Sequence, residues 1–287
     1  LCRDEANIVG DSNGELWHRR LGHMSERGMH ILAEKDFLPE MKGIHLEKCV
    51  DCLAGKQNRT TFHSRPPMRR EHALELVHTD VCYVDAPSHR GGQYFVTFID
   101  DFSRKVWAFV LTSKDQVLSV FKEFHARAER ESGQKLKAVR TDNGGEYRGQ
   151  FEMYCKTQGI KLEYTVPKTP ELNGLAERMN RTIMERVRSM LSHAKLPKSY
   201  WAEAMATAVY LINRSPSVPL KGDVPQRVWT GRSVSYQHLR VFGCLAYVHV
   251  AKDQRSKLDS KSKPCIFLGY SEDEFGYRMW DLLDKKV

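Results

Sequence analysis

The sequence predicts an α/β protein: a mixed five-stranded sheet with flanking helices, a small helical unit ahead of it and a small β unit behind. Three observations carry this expectation. Between residues 74 and 215, three runs rich in β-branched and aromatic residues come first, and strand-like and helix-like segments then alternate, which a purely parallel fold does not produce. Ahead of them, a His pair and a Cys pair stand at metal-ligand spacing in one short stretch. Behind them, from Pro216 on, Pro, Gly and Ser recur between short alternating runs, the pattern of a small antiparallel barrel or meander.

In order along the chain, residues 1–14 are polar and turn-rich and read as a flexible segment. Residues 15–60 hold a helical stretch around His18 to Leu38 and a short loop into Cys49-Val50-Asp51-Cys52. Residues 61–73, with Arg65-Pro66-Pro67 and Arg69-Arg70, read as a basic linker. The core, 74–215, opens with strands over 75–84, 93–100 and 105–112, the first two joined through Arg90-Gly91-Gly92. A helix over 113–133 follows, its apolar residues Val117, Val120, Phe121 and Phe124 at helical spacing. Then come a strand over 136–141, a helix over 151–159, a strand over 161–166 and helices over 175–194 and 201–213. In the last part, 216–287, runs over 241–250, 265–270 and 277–283 are divided by Gly243, Gly269 and Gly276.

Composition narrows the function classes. At 287 residues the chain suits two or three compact units. No apolar run approaches the roughly 20 residues of a membrane-spanning helix, so no membrane partner is expected. Lys and Arg outnumber Asp and Glu by 45 to 36, a net charge of +9 that favours a polyanionic partner over a merely solvated basic surface. Of seven cysteines only Cys49 and Cys52 are close in sequence; Cys2, Cys82, Cys155, Cys244 and Cys265 read as reduced thiols of an intracellular protein. The chain starts at Leu1 without a signal peptide, and a piece of a longer polypeptide is expected.

His18 and His23 have four residues between them on the expected helix, and Cys49 and Cys52 have two. Two imidazoles and two thiolates complete a tetrahedral Zn²⁺ site with no position open for chemistry, so one structural zinc is expected. A unit of about 45 residues buries little surface, and metal binding would supply much of its folding free energy.

Three carboxylates form a second constellation. Asp80 falls inside the apolar strand around His78-Thr79-Asp80-Val81-Cys82, where an unpaired charge is costly. Asp142 closes a strand and precedes the turn Asn143-Gly144-Gly145, and Glu177 begins the long helix after Asn173-Gly174. At 100° per residue Glu177 shares a face with Arg181 and Arg188, while Met179, Ile183, Val187 and Met190 make the opposite, apolar stripe. Carboxylates beside arginines suit a metal site next to a phosphate backbone, and two Mg²⁺ ions held so can drive an in-line displacement at phosphorus.

At this point a family resemblance enters. Leu16-Trp17-His18-Arg19-Arg20-Leu21-Gly22-His23 with the Cys knuckle, HTDVC (78–82), YFVTFIDDFSRKVW (94–107), RTDNGGEY (140–147), NGLAERMNRT (173–182), VFGCLAYVHV (241–250), SKLDSKSKPCIFLGYS (256–271) and GYRMWD (276–281) together resemble the integrase segment of copia-type LTR retrotransposon Gag-Pol polyproteins. The resemblance implies a pre-integrase zinc-binding domain over 15–60, an RNase H-like integrase core over 74–215 and an SH3-like β domain within 216–287. It implies that Asp80, Asp142 and Glu177 match the family's metal-binding catalytic triad, with two Mg²⁺ or Mn²⁺ ions. Asn143, Asn173, Gly174, Arg178, Arg181 and Arg188 are the candidate DNA contacts. The implied reactions are trimming of the 3′ ends of double-stranded element DNA and joining of those ends to target DNA, by a homo-multimer cut from its parent polyprotein. The implied place of action is the nucleus, after assembly in cytoplasmic particles. The sequence departs from the family pattern at Glu171-Leu172, where glutamines are usual, at Tyr83-Val84, at Met179, and by one residue in the Asp142 to Glu177 spacing.

Two further readings use the same residues: a catalytically silent zinc- and DNA-binding relic or host-adopted protein, and an RNase H-like hydrolytic nuclease. Strand transfer and hydrolysis differ only in the nucleophile, a DNA 3′-hydroxyl or water.

Overall fold

The computed structural model describes residues 13–38, 45–46, 48–56, 69–165, 174–271, 276–282 and 284. The expectations for residues 1–12 and for 61–68 of the basic linker lie outside them. The chain divides into two compact units: Asn58–Glu185 with Ile212–Val234, and Leu1–Gln57 with Arg186–Leu211 and Ser235–Val287. No helix among the described residues is long and apolar enough to cross a membrane.

The first unit is built on five strands, β1 (Val77–Tyr83), β2 (Tyr94–Asp100), β3 (Val106–Leu111), β4 (Ala138–Thr141) and β5 (Lys161–Tyr164), in the order β3-β2-β1-β4-β5. β1 and β3 run antiparallel to β2, whereas β4 is parallel to β1 and β5 to β4, so the sheet is the mixed, RNase H-like one expected. Every residue of β2 from Phe95 to Asp100 is buried, as a strand covered on both faces requires. On one face, helices α4 (Val117–Ser132) and α5 (Gln150–Gln158) pack their apolar stripes, with Phe98 stacked on Phe124 at 4.4 Å and Phe121 against Phe151 at 4.7 Å. A Phe fully buried in this way contributes about 1.5–3 kcal/mol from the transfer of its surface alone.

Local chemistry sets the ends of these elements. Ser113 and Gln116 form a capping box ahead of α4, and Gly133, at φ +68°, ends it. The β2–β3 turn closes around the buried Asp100 carboxylate, which accepts from Ser103 N, Ser103 Oγ and Leu74 N. Asn213 seals the outer edge of β3: its side chain accepts from Val106 N and donates to Val106 O, both at 2.8 Å, covering an edge otherwise open to pairing. The observed strands and helices fall within a few residues of those expected from the pattern.

The second unit contains α1 (Asn13–Arg20), α2 (Glu26–Glu34), α3 (Val50–Lys56), α7 (Trp201–Ile212) up to Leu211, and the meander β6 (Leu245–His249), β7 (Ser262–Tyr270) and β8 (Tyr277–Asp281). Helix α6 (Gly174–Ala194) contributes its residues from Arg186 onward to this unit and the earlier ones to the first. Here the structure corrects one expectation. The helical stretch from His18 to Leu38 is two helices, not one, because Gly22 and His23 take left-handed φ values of +62° and +61° and Ser25 caps α2. A second difference is in β7, which begins at Ser262, three residues before the run expected over 265–270, and takes in Pro264. Thr207 of α7 donates to Leu268 O at 2.8 Å, and a Cβ on Gly269 would lie 2.4 Å from Thr207 Oγ1, so only glycine lets α7 approach β7 this closely.

Candidate metal centres

The break after α1 builds the first centre. His18 sits in the last turn of α1 and His23 in the left-handed turn beyond it, both buried, while Cys49 and Cys52 flank the start of α3. His18 Nε2 lies 3.3 Å from Cys52 Sγ, and His23 Nδ1 lies 3.4 Å from Cys49 Sγ and 3.7 Å from Cys52 Sγ. All four ligand atoms are within 4.8 Å of one another. A tetrahedron with Zn–S near 2.3 Å and Zn–N near 2.0–2.1 Å places its ligand atoms roughly 3.5 Å apart, so the set fits Zn²⁺. His18 Nδ1 lies 2.7 Å from Met24 O, an N–H···O bond that puts the proton on Nδ1 and the lone pair on Nε2, the nitrogen facing Cys52 Sγ. Arg186 is buried beside Cys52; burial pushes its guanidinium down to about 10, and the Cys52 charge opposes that shift.

The second centre lies in the first unit, where β1, the end of β4 and the start of α6 converge. Asp80 is in mid-β1; its Oδ2 accepts from Asn180 Nδ2 at 2.9 Å, and Asn180 Oδ1 accepts from Thr97 Oγ1 at 2.8 Å. Thr97 is the residue paired with Asp80 across the β1–β2 ladder. Asp142 follows β4, and its Oδ1 accepts from Gly144 N at 2.9 Å. A Cβ on Gly144 would lie 2.9 Å from that oxygen and 2.8 Å from the Glu146 carboxylate, so a larger residue would push into both. Glu177 is exposed in the first turn of α6.

Electrostatics tie the three together. Burial, then the charges of Asp142 and Glu177, raise the Asp80 carboxyl to about 7, against the lowering by the Asn180 hydrogen bond. Tyr147, fully buried beneath the site, bonds Thr79 Oγ1 at 3.0 Å; burial pushes its phenol well up, and Asp80 and Asp142 add to the effect. Three carboxylates that repel one another are the donor set of hard oxygen-binding cations, which would relieve the repulsion. The His/Cys/Asp/Glu groups with all ligand atoms within 4.8 Å, among the described residues, are the zinc set and His23–Asp51–His193; the carboxylate site is more open.

The candidate DNA contacts divide. Arg178 and Arg181 are exposed on the α6 turns beside Glu177, and the Arg178 guanidinium folds back over Gly174, where a Cβ would meet Nη1 at 2.9 Å. Asn143 is committed to the fold, its Nδ2 donating to Thr165 O at 2.8 Å. Arg188 is exposed but donates to Gly55 O of α3 at 3.1 Å. Asn173 lies outside the described residues. On the opposite side of α6, Ile183, Val187 and Met190 are buried as expected and Met179 half-buried, yet polar Asn180, Arg186 and Ser189 are buried with them. Asn180, Thr97 and Tyr147 escaped the sequence reading; the one signal for Asn180 was its place one turn after Glu177.

Residues 4–57 match the GAG-pre-integrase domain family, residues 70–170 the integrase core domain family, and residues 244–287 the retroviral polymerase SH3-like domain family. All of the chain aligns, at 57% identity, with 22% of the retrovirus-related Pol polyprotein from transposon TNT 1-94 of Nicotiana tabacum. Over 91% of its length it is 38% identical to 18% of the Pol polyprotein from transposon RE1 of Arabidopsis thaliana. Among solved structures, a chain of the simian T-cell lymphotropic virus intasome in complex with PP2A regulatory subunit B56 gamma aligns over 89% of this chain and 95% of that one, at 16% identity and TM-score 0.48. The chain spans about a fifth of the length of the Pol polyproteins it matches. With three domain families in this order along one continuous alignment, the protein belongs to the retrotransposon Pol polyproteins, as their pre-integrase, integrase-core and SH3-like region.

Proposed function

We propose that this region is a copia-type integrase that trims the 3′ ends of element DNA and joins them to target DNA, with Asp80, Asp142 and Glu177 as its metal-binding catalytic residues. The observation that carries the reading is the Asp80 carboxyl, held by an amide from the helix of Glu177 and raised to about 7 by burial and the charges of Asp142 and Glu177. A site that penalises its own negative charge is prepared for cations. Two Mg²⁺ or Mn²⁺ ions bound there would activate the attacking oxygen and stabilise the leaving one.

The chain's own residues do the rest. Asn180 holds one oxygen of Asp80, and Gly144 N holds one oxygen of Asp142. Exposed Arg178 and Arg181 offer guanidinium forks to the DNA phosphates. In trimming, water cleaves a phosphodiester near the element end; in joining, the freed 3′-hydroxyl attacks a target phosphodiester and a target 3′-oxygen leaves. The His18, His23, Cys49 and Cys52 set would hold a structural zinc in a pre-integrase part over 15–60, ahead of a core over 74–215 and an SH3-like part within 216–287. Action on two DNA ends calls for a multimer, and chromosomal DNA places the joining step in the nucleus.

Purified protein with Mg²⁺ or Mn²⁺, a labelled element-end duplex and plasmid DNA tests this. Joined product, lost in Asp142→Asn while DNA binding persists, supports it. Salt-sensitive DNA binding without joining means a silent descendant, and short fragments without joined product mean a nuclease.

A further inference from the structure

The knuckle residue between the two cysteines, Asp51, meets the second half of α6. Asp51 Oδ1 accepts from Ser192 Oγ at 2.6 Å, its main-chain oxygen accepts from Ser189 Oγ at 3.3 Å, and Oδ2 lies 3.8 Å from His193 Nδ1. Ligand-type atoms of His23, Asp51 and His193 all fall within 4.8 Å, and the His23 and His193 rings meet at 5.8 Å, nearly edge to face. His23 Nδ1 is turned to the two sulfurs. A metal-bound imidazole needs a partner for its other nitrogen, and a carboxylate is a common one. One turn further along α3, Gly55 O accepts from Arg188.

We propose that Asp51 is the outer-sphere carboxylate of the zinc ligand His23, and that through Ser189, Ser192 and His193 it makes the second half of α6 part of the zinc unit. Helix α3 has seven residues and is too short to persist alone. It is fixed by the ion on one side and by α6 on the other. When zinc leaves, Cys49 and Cys52 lose their anchor, α3 loosens, and residues 186–194 lose the acceptors that Asp51 and Gly55 supply. Zinc occupancy then governs the order of residues 186–194 of α6. The inference rests on zinc occupying the His/Cys set.

Hydrogen exchange followed by mass spectrometry, on the whole chain with zinc and after chelation, tests it. Removing zinc is expected to speed exchange in peptides covering 186–194 about tenfold or more while 94–100, in β2, is unchanged. Asp51→Asn, which keeps the shape, is expected to weaken zinc about tenfold in competition with a chromophoric chelator, and to speed exchange at 186–194 even with zinc bound. Ser192→Ala should speed exchange at 186–194 and leave zinc bound. Zinc-dependent exchange absent at 186–194, equal acceleration at 94–100, or Asp51→Asn with unchanged zinc affinity would each overturn the proposal. Metal analysis finding no zinc in the purified protein would remove the zinc reading itself, whereas bound zinc with unchanged exchange removes this inference alone.

Discussion

Asn180 joins the helix that carries Glu177 to the strand that carries Asp80, giving its amide hydrogen to Asp80 Oδ2 at 2.9 Å and taking one from Thr97 at 2.8 Å. Asn180 is buried, so both partners depend on it. Asn180→Ala leaves a half-buried carboxylate short of a donor and the buried Thr97 hydroxyl with only its longer contact, Asp80 O at 3.4 Å, at about 1–3 kcal/mol. Because Asp80 would then be held only by the Val81 backbone, Mg²⁺ binding should weaken about tenfold. Thermal unfolding measures the first and Mn²⁺ or Mg²⁺ titration the second; metal affinity equal to that of the unmutated protein would show that Asn180 does not position Asp80.

The raised Asp80 carboxyl gives a pH dependence with a definite sign. Its folded value, about 7, lies above the ordinary carboxylate value of 3.8, so without metal the folded form holds the proton more tightly than the unfolded one. The metal-free protein therefore loses stability as pH rises from about 4 through 7. Asp80→Asn removes that loss, and without metal it should melt higher than the unmutated protein at pH 8, by roughly 1–3 kcal/mol, and about equally at pH 4. Cation binding expels the proton, so Mg²⁺ affinity should fall close to tenfold per unit as pH drops below 7. Melting curves and Mg²⁺ titrations at pH 5, 6, 7 and 8 test both; a pH-independent Mg²⁺ affinity would contradict the coupling.

Much of the sheet and its acidic residues was legible because the signals are local. β-branched and aromatic runs mark β1 to β3, and an Asp inside an apolar strand stands out wherever the chain goes next. What stayed hidden depends on residues far apart in sequence. Nothing near Thr97 or Tyr147 says that each lies under Asp80, since β1–β2 register and the return of residue 147 bring them there. The break at Gly22 and His23 was missed for a different reason: residues around it keep a helical spacing of apolar positions, and a single glycine does not force a break. Nor does periodicity along α6 tell that its residues from Arg186 onward belong with residues 1–57.

Zinc should be removable one ligand at a time. Cys49→Ser replaces a thiolate with a poor zinc donor 3.4 Å from His23 Nδ1, leaving three good ligands of four. Bound zinc in the purified protein should fall well below one ion per chain, and since metal binding is folding free energy for such small units, the earliest unfolding transition should move down in temperature. Zinc content by atomic absorption and calorimetry report the two effects. Full zinc content with unchanged melting would show that the four residues do not act as one site.

Gly22 offers the sharpest check on how the zinc turn is built. Its φ of +62° carries a penalty of about 1–2 kcal/mol for any residue with a Cβ, and that Cβ would lie 2.8 Å from Leu211 Cδ1. Gly91 has a similar φ of +81° with nothing within 4 Å of the added atom. Gly91→Ala therefore isolates the backbone penalty, while Gly22→Ala adds a steric push beside His23. The expected outcome is a modest loss of stability and unchanged zinc affinity for Gly91→Ala, against a larger loss and zinc binding weakened at least tenfold for Gly22→Ala. Denaturant unfolding with parallel zinc competition distinguishes them, and equal zinc affinity in the two variants would mean that the left-handed turn does not place His23.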